Sequence, residues 1–345
     1  MYAPSRSLTG KSKKGENASC LLSLQKKTGF GFLRGEKPEW MPVYSEMQTI
    51  LPLCVPENIA RGFIKETESI PQSRFGGPDM YGVPWVYEAS VGGSMEDPSV
   101  PPILTDVADW RDVIRFPDID SWDWEGAARR NQGFLAPDRL TSTVIYTGFF
   151  ERLISFMGFE GAAMALIDED CADDVHALLQ AIADTNIRLI AAYKKYFDID
   201  HLFFHDDWGA QLAPFFSLDT CREMLVPYMK QVVDFCHANG IFFEFHCCGH
   251  NDALVPAMVE AGMDAWCGQP MCDKFALWDH YGDKIAIGIA FSGDSDEDLF
   301  RQVDAMIEHI KSDPIRRRMY VRDRMLGSAQ NLKEYLKEKT APLYK

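Results

Sequence analysis

The sequence predicts an α/β fold in which eight parallel strands form a (β/α)8 TIM barrel surrounded by helices. From Thr141 onward, short apolar strands alternate with segments of helical spacing, and the connections between them are short. Each strand–helix unit takes about 35 residues, so a chain of 345 residues has room for eight units. Residues suited to chemistry follow the predicted strands, which is where barrel enzymes carry their active sites.

An open, doubly wound sheet is the competing arrangement, and it is disfavoured because no G-x-G-x-x-G motif follows a strand. The sequence contains neither an internal repeat nor a linker-like stretch that would divide it. We therefore expect a single barrel domain over residues 1–345, with an irregular N-terminal extension, residues 1–35, packed on the barrel.

The individual elements are predicted from periodicity and from residues that start or stop helices. A helix over 172–197 contains neither Gly nor Pro, and the helix that follows Ser217 stops at Gly240. The predicted strands are 141–146, 201–207, 241–246, 263–267 and 284–289, and the other predicted helices are 253–261, 275–281 and 296–310. The segment 76–102 is rich in Gly and Pro with aromatic residues between them, which predicts a surface loop or a lid over a site.

Composition argues against several classes of function. The net charge of −16 disfavours nucleic-acid binding, because phosphates require Lys and Arg. No apolar run approaches the ~18 residues of a membrane span, and no apolar segment follows the basic start as in a secretory signal. An odd number of cysteines, nine, does not indicate a disulfide framework. We therefore expect a cytoplasmic protein that does not bind membranes.

The strand 241–246 places two polar side chains inside the predicted barrel. Side chains alternate along a strand, so Phe242, Glu244 and His246 share one face, while the other face suits packing against helices. Burying a charged Glu is costly unless it is paired or binds a ligand. The strand then ends in Cys247-Cys248-Gly249.

His246 and Cys248 form a His-x-Cys pair, and zinc binds imidazole and thiolate. From the residues alone, this pair fits equally well a metal site or a core histidine beside packed cysteines. Cys267 and Cys272 follow the next strand, and each could complete a metal site or be a buried thiol.

The preceding strand ends in His205-Asp206-Asp207-Trp208, followed by Gly209 and Gln211. His205 and Asp207 share a face, and acidic residues at a strand end can act as a base, orient a metal-binding His or hold substrate. The alternative is a turn in which an aspartate side chain simply ends the strand.

Between Phe204 and Pro270 the sequence resembles the uroporphyrinogen decarboxylase superfamily, and within it the cobamide-dependent methyltransferases. The matching positions are His205-Asp206-Asp207-Trp208-Gly209-x-Gln211, Ser217, Pro227, Gly240, His246-x-Cys248-Gly249, Glu260-Ala261-Gly262-x-Asp264 and Gln269. Weaker similarity extends to Pro42-Val43 and to Asp118-Ile119-Asp120. The resemblance implies a TIM barrel.

The resemblance also separates two activities. The decarboxylase branch carries an arginine-containing loop near its N-terminal strand, whereas residues 40–48 here contain no arginine. The methyltransferase branch binds a catalytic zinc through His-x-Cys and a cysteine far downstream. Here no Cys follows Cys272, and the equivalent position falls at 321–325. We expect Cys272 as third ligand, with Glu244, Cys267 or a residue of the N-terminal third as alternatives.

The function expected from this resemblance is zinc-dependent transfer of a methyl group from a small methylated compound to the cobalt of a corrinoid carried by a partner protein. Aromatic residues in 76–102 and 146–150 favour a methoxylated aromatic donor, and hence O-demethylation. Asp207, His205 and Glu244 are the expected catalytic residues, which orient ligands or move a proton. The expected substrate-binding residues are Trp208, Gln211, Gln269, Tyr146 and Asp206.

Three alternatives remain open at this point. One is a metal-free lyase of the decarboxylase type, another is a methylcobamide:thiol methyltransferase, and the third is a non-catalytic binding protein that kept the barrel. Association into a homodimer is compatible with each of them.

Overall fold

The computed structural model describes residues 31–32, 36–90, 92–322 and 330–345. Its strands are, in chain order, β1 (Gln48–Thr49), β2 (Gly77–Pro78), β3 (Pro84–Glu88), β4 (Gly93–Glu96), β5 (Thr141–Ile145), β6 (His201–His205), β7 (Phe242–Cys247), β8 (Ala265–Gly268), β9 (Ala286–Ile289) and β10 (Met319–Val321). In these residues a seven-stranded sheet has the order β1-β5-β6-β7-β8-β9-β10, and all of its strand pairs are parallel.

The sheet curls until its last strand meets the segment that precedes its first. Val321, at the end of β10, forms a parallel bridge with Val43, and its N–H donates to the carbonyl of Pro42 at 2.9 Å. This confirms a parallel α/β fold compatible with a TIM barrel. Within the described residues, however, the sheet has seven strands rather than the predicted eight.

Helices cover the outside of the sheet and follow most of its strands. They are α1 (Pro56–Ala60), α2 (Trp110–Val113), α3 (Trp124–Arg130), α4 (Phe149–Ala165), α5 (Ala172–Phe197), α6 (Leu218–Met224), α7 (Val226–Ala238), α8 (Val255–Glu260), α9 (Lys274–Tyr281), α10 (Asp296–Ile310) and α11 (Gln330–Thr340). The bounds of α5 and α10 are those predicted. The single helix expected after Ser217 is instead divided at Leu225, because Pro227, in the first turn of the second helix, lacks an N–H for the preceding turn.

Two hydrophobic cores lie on the two faces of the sheet. Phe203, Phe242 and Tyr320 belong to a core inside the curled sheet, whereas Phe243 and Phe245 pack in the larger core between sheet and helices. The alternation predicted for β7 is therefore confirmed. It follows that Glu244 and His246 lie on the interior face.

The segment 76–102, predicted as a surface loop or a lid over a site, contains a small sheet. Strands β2, β3 and β4 pair antiparallel, and Trp85 of β3 is buried. The carboxylate of Asp79 accepts the Trp85 indole N–H at 3.1 Å and forms a buried ion pair with Arg152 of α4. Short strands rich in Gly and Pro have no detectable periodicity, so this sheet could not be predicted from the sequence.

The N-terminal extension predicted for residues 1–35 lies mostly outside the described residues. Of it, Phe32 is buried, with its ring 6.4 Å from that of Tyr320. That residues 1–345 form a single domain stays a prediction. No helix among the described residues is long and apolar enough to cross a membrane.

Candidate metal and active site

Three potential metal ligands meet at the carboxyl ends of β6 and β7. These strands are neighbours, and their register places His205 opposite His246. Cys248 follows β7, and its Sγ lies 3.5 Å from His246 Nε2 and 3.8 Å from His205 Nε2. The three ligand atoms all lie within 4.8 Å of one another. This group could hold a single metal ion.

The other nitrogen of each imidazole is engaged by an acceptor. His205 Nδ1 lies 2.7 Å from Glu151 Oε2 and 3.0 Å from the carbonyl of Tyr146, and His246 Nδ1 lies 2.6 Å from the carbonyl of Cys267. Because these oxygens can only accept, each Nδ1 carries a proton and donates it. Both Nε2 atoms are thereby directed at Cys248, as in histidines that bind a metal through Nε2.

The two histidines differ in charge. Burial, the positive charge of His205 and that of Arg322 lower the pKa of His246 to about 3, so this ring is neutral. Burial by itself would lower the pKa of His205, but the adjacent Glu151 carboxylate raises it well above the ordinary value. Burial raises the pKa of the Cys248 thiol. A metal ion would therefore have to displace protons from His205 and Cys248.

Asp207 lies at the edge of this group. Its Oδ1 is 3.4 Å from His205 Nε2 and accepts the backbone N–H of Cys248 at 3.2 Å. Together with Glu151 and His205 it forms a second set of ligand atoms within 4.8 Å of one another. A half-buried carboxylate in this position can act as a fourth ligand or hold a proton.

Glu244 lies deeper inside the barrel than the three ligands. Its Oε1 accepts the Tyr320 hydroxyl and Arg322 Nη1, both at 2.6 Å, and its Oε2 is 3.0 Å from His201 Nε2. Burial opposes its ionisation, but the charge of Arg322 together with the interactions with His201 and Tyr320 outweighs that effect and lowers the pKa of Glu244 to about 2. Both oxygens of this carboxylate are thus used in a network below the three ligands.

The two cysteines considered as third ligands lie elsewhere. Cys267 Sγ is 3.3 Å from His246 Nδ1, on the side of the ring that faces away from Cys248, and 3.0 Å from Arg322 Nη1. Cys272 is buried, and its Sγ donates to the carbonyl of Gly249 at 3.5 Å. The structure brings His205 to His246 and Cys248, and it leaves Cys272 outside the group.

Asp206 and Trp208, expected to bind substrate, are both fully buried. Asp206 accepts the backbone N–H groups of Phe149, Phe150 and Glu151 at 2.8–3.0 Å, and also the Trp208 indole N–H at 2.9 Å. It therefore caps the N-terminus of α4, where a negative charge is stabilising. Burial raises the pKa of Asp206 to about 7. Through this cap, Asp206 positions the helix turn that carries Glu151.

The remaining predicted substrate residues occupy the rim. The ring of Tyr146 stacks on Phe63 with centroids 4.3 Å apart and an interplanar angle of 15°. Gln269 Oε1 accepts the backbone N–H of Gly249 at 3.0 Å, and Gln211 is exposed in the loop after β6.

Gly249 has a φ of +92°, and a Cβ there would collide with the carbonyl of Gly209, so the turn after Cys248 requires glycine.

Two residues of the site, Glu151 and Arg322, could not be recognised from the sequence. Glu151 lies in the first turn of α4, a helix whose start was not predicted, and its partner His205 is 54 residues away. A glycine at 148 was the available signal, because a Cβ there would collide with Asp206. Its meaning is evident only once Asp206 is seen to approach the helix terminus.

Comparison with known proteins supports the reading of the fold. The family model described as uroporphyrinogen decarboxylase (URO-D) matches residues 138–288, which include His205, His246 and Cys248. A search of curated proteins gives no match.

Among solved structures, a methyltransferase from Methanosarcina mazei is similar, with 14% sequence identity and a TM-score of 0.57. The similarity covers 93% of this chain and 98% of that chain. A sugar phosphate isomerase/epimerase from Parabacteroides distasonis ATCC 8503 has 11% identity, a TM-score of 0.35, and coverage of 64% of this chain and 82% of its own. The similarity to the first structure shows a shared fold. The TM-score of the second is too low to show one.

Proposed function

We propose that this protein is a zinc-dependent methyltransferase of the URO-D superfamily. It would move a methyl group from a small methylated compound, preferably a methoxylated aromatic, to the cobalt of a corrinoid carried by a partner protein. One observation carries the proposal: two histidine Nε2 atoms and one thiol converge at the carboxyl ends of neighbouring strands, with both Nδ1 atoms held by acceptors. The URO-D match over residues 138–288 and the fold shared with a methyltransferase support it.

The closed eight-stranded barrel is part of the same proposal. The extended segment at Pro42–Val43 would serve as the additional strand, because it is hydrogen-bonded to β10 and leads directly into the 3-10 turn before β1. The carboxyl ends of all strands would then surround one opening, as in barrel enzymes.

The donor set fits zinc. Two imidazole nitrogens and one thiolate are ligands that zinc prefers, and a three-ligand site leaves a position open for substrate, as catalytic zinc sites do. Glu151 and the carbonyl of Cys267 provide the hydrogen bonds that hold ligating histidines in one tautomer. When bound, zinc supplies Lewis acidity that polarises the ether oxygen of the substrate.

The protein side chains have defined tasks in this reaction. A bound corrinoid would supply the Co(I) nucleophile that takes up the methyl group, and the phenolate released from the methyl–oxygen bond would take up a proton. Asp207 is the group placed to hold or move that proton, because its Oδ1 is 3.4 Å from His205 Nε2 and its side chain is about one-third accessible. Glu151 keeps His205 oriented throughout.

The surroundings of the ligands favour a flat substrate. The ring of Phe203 is stacked against the imidazole of His246, with centroids 5.6 Å apart and an interplanar angle of 22°. The Tyr146–Phe63 stack lies on the side of His205, since the carbonyl of Tyr146 contacts that residue. Aromatic side chains thus flank the ligand group, and such surroundings suit an aromatic substrate.

The proposal is tested by metal analysis together with a methyl-transfer assay. We expect one zinc per chain, and we expect methoxylated aromatics, in preference to methanol, methylamines or methylthiols, to convert Co(I) cobalamin to its methyl-Co(III) form. Replacing His246 or Cys248 with Ala should abolish both zinc and transfer, whereas Cys171→Ser, at a partly exposed thiol next to α5, should leave them unchanged. A protein that lacks zinc and transfers methyl groups equally well after chelation would refute the mechanism.

A further inference from the structure

Arg322, the first residue after β10, is held rigidly inside the barrel. Its Nη1 donates to Glu244 Oε1 at 2.6 Å and lies 3.0 Å from Cys267 Sγ. The centre of its guanidinium group is 4.2 Å from the ring centroid of Tyr44 and 4.6 Å from that of Phe203. A guanidinium fixed in this way needs no further ordering to bind a ligand.

The guanidinium group also retains unused donors. It has five N–H donors, and its contacts with Glu244 and Cys267 are both made by Nη1. In the part of the chain that the structure describes, no acceptor lies within hydrogen-bonding distance of its Nε or Nη2. Its side chain is 16% accessible, so these donors are within reach of a small molecule in the barrel opening.

Arg322 lies next to the ligand group, on the side away from Glu151 and Asp207. Cys267 Sγ is 3.0 Å from Arg322 Nη1 and 3.3 Å from His246 Nδ1, so one thiol separates the guanidinium from the histidine. The carboxylates of Glu151 and Asp207 contact His205 instead. Glu244 occupies Nη1 of the guanidinium, so a ligand would bind its Nε and Nη2 edge.

Phe203 connects the two places where a substrate would be held. Its ring stacks against His246 at 5.6 Å and lies under the guanidinium of Arg322 at 4.6 Å. Both groups therefore lie within one aromatic ring of each other, close enough for a single small molecule to reach the two of them.

We propose that Arg322 binds the carboxylate of the substrate, and that the methyl donor is a methoxylated aromatic carboxylate. Arginine pairs with a carboxylate through two parallel N–H···O bonds, and Nε and Nη2 have no acceptor among the described residues. This inference rests on the proposed function.

The test compares the binding of 3-methoxybenzoate with that of its neutral analogue, 3-methoxybenzyl alcohol, to the zinc-loaded full chain by calorimetry. We expect the carboxylate to bind about 10- to 100-fold more tightly. Because removing Arg322 alone would leave the buried Glu244 carboxylate without its arginine partner, the main variant is the double substitution Arg322→Gln with Glu244→Gln. It should lose the preference for the carboxylate, and Arg322→Lys should retain only part of it.

Arg318→Gln is the matched control. Arg318 is a partly buried arginine that precedes the same strand, at its opposite end, and donates to the carbonyl of Lys284. It should keep the full preference. Equal binding of the two probes by the wild type, or a carboxylate preference that survives in the double variant, would overturn the inference. Zinc content measured on the same samples tests the proposed function separately, because Arg322 is not among the ligands.

Discussion

Glu151 should control the metal affinity of the site without being a ligand. Its carboxylate lies 2.7 Å from His205 Nδ1, and both side chains are only 15% accessible, so water replaces this bond poorly. Loss of such a partner of a ligating histidine costs about 10- to 100-fold in metal affinity. In Glu151→Gln the amide oxygen still accepts the Nδ1–H, but the negative charge is lost. We expect a loss of about tenfold, or about 1.4 kcal/mol, for Glu151→Gln and up to about 100-fold for Glu151→Ala.

The assay is competition for zinc with a chromophoric chelator, combined with thermal unfolding of the same samples. The matched control is Glu260→Gln, which removes a carboxylate paired with Arg222 at 2.7 Å on the exposed surface. It should leave zinc affinity unchanged and cost less than about 1 kcal/mol of stability. If Glu151→Ala folds normally and binds zinc as tightly as the wild type, the assignment of His205 as an oriented ligand is wrong.

Three further predictions follow from individual contacts. His205→Ala should weaken zinc binding by more than about 100-fold while Cys272→Ser leaves it unchanged, and the reverse result in the same competition assay would make Cys272 the third ligand. Asp206→Asn should lower the free energy of unfolding by about 1–3 kcal/mol in chemical denaturation, because an NH2 group would replace one of the two oxygens that accept four N–H donors, and a loss below about 0.5 kcal/mol would argue against its role as a helix cap. The hydrogen bond to Asp264 raises the pKa of His237, so this pair stabilises the fold below the ordinary histidine pKa and ceases to do so as the pH rises through the raised value. The stability difference between wild type and His237→Gln should therefore shrink as the pH rises from about 5.5 to about 8.5. This difference should stay below about 1 kcal/mol, since the His237 side chain is 42% accessible. A difference that grows with pH would contradict the assignment.

Much of the fold could be predicted because it depends on local periodicity. The helix Ala172–Phe197 was found with both ends correct, since no Gly or Pro interrupts its apolar stripe. The inward face of β7 was also found, because side chains alternate along any strand. The small sheet β2–β4 was missed, since its strands are short and contain Gly and Pro, which carry no periodic signal.

Within the candidate site, the sequence by itself determined which side chains stand at strand ends: His205, Asp207, His246 and Cys248. Only the tertiary structure decided which of these approach one another. The register of β6 against β7 places His205 opposite His246, and the cap made by Asp206 brings Glu151 to His205 from another helix. Local sequence specifies the direction of a side chain, because backbone geometry repeats every two residues in a strand. Strand register and helix docking arise from packing between distant segments, and no local pattern encodes them.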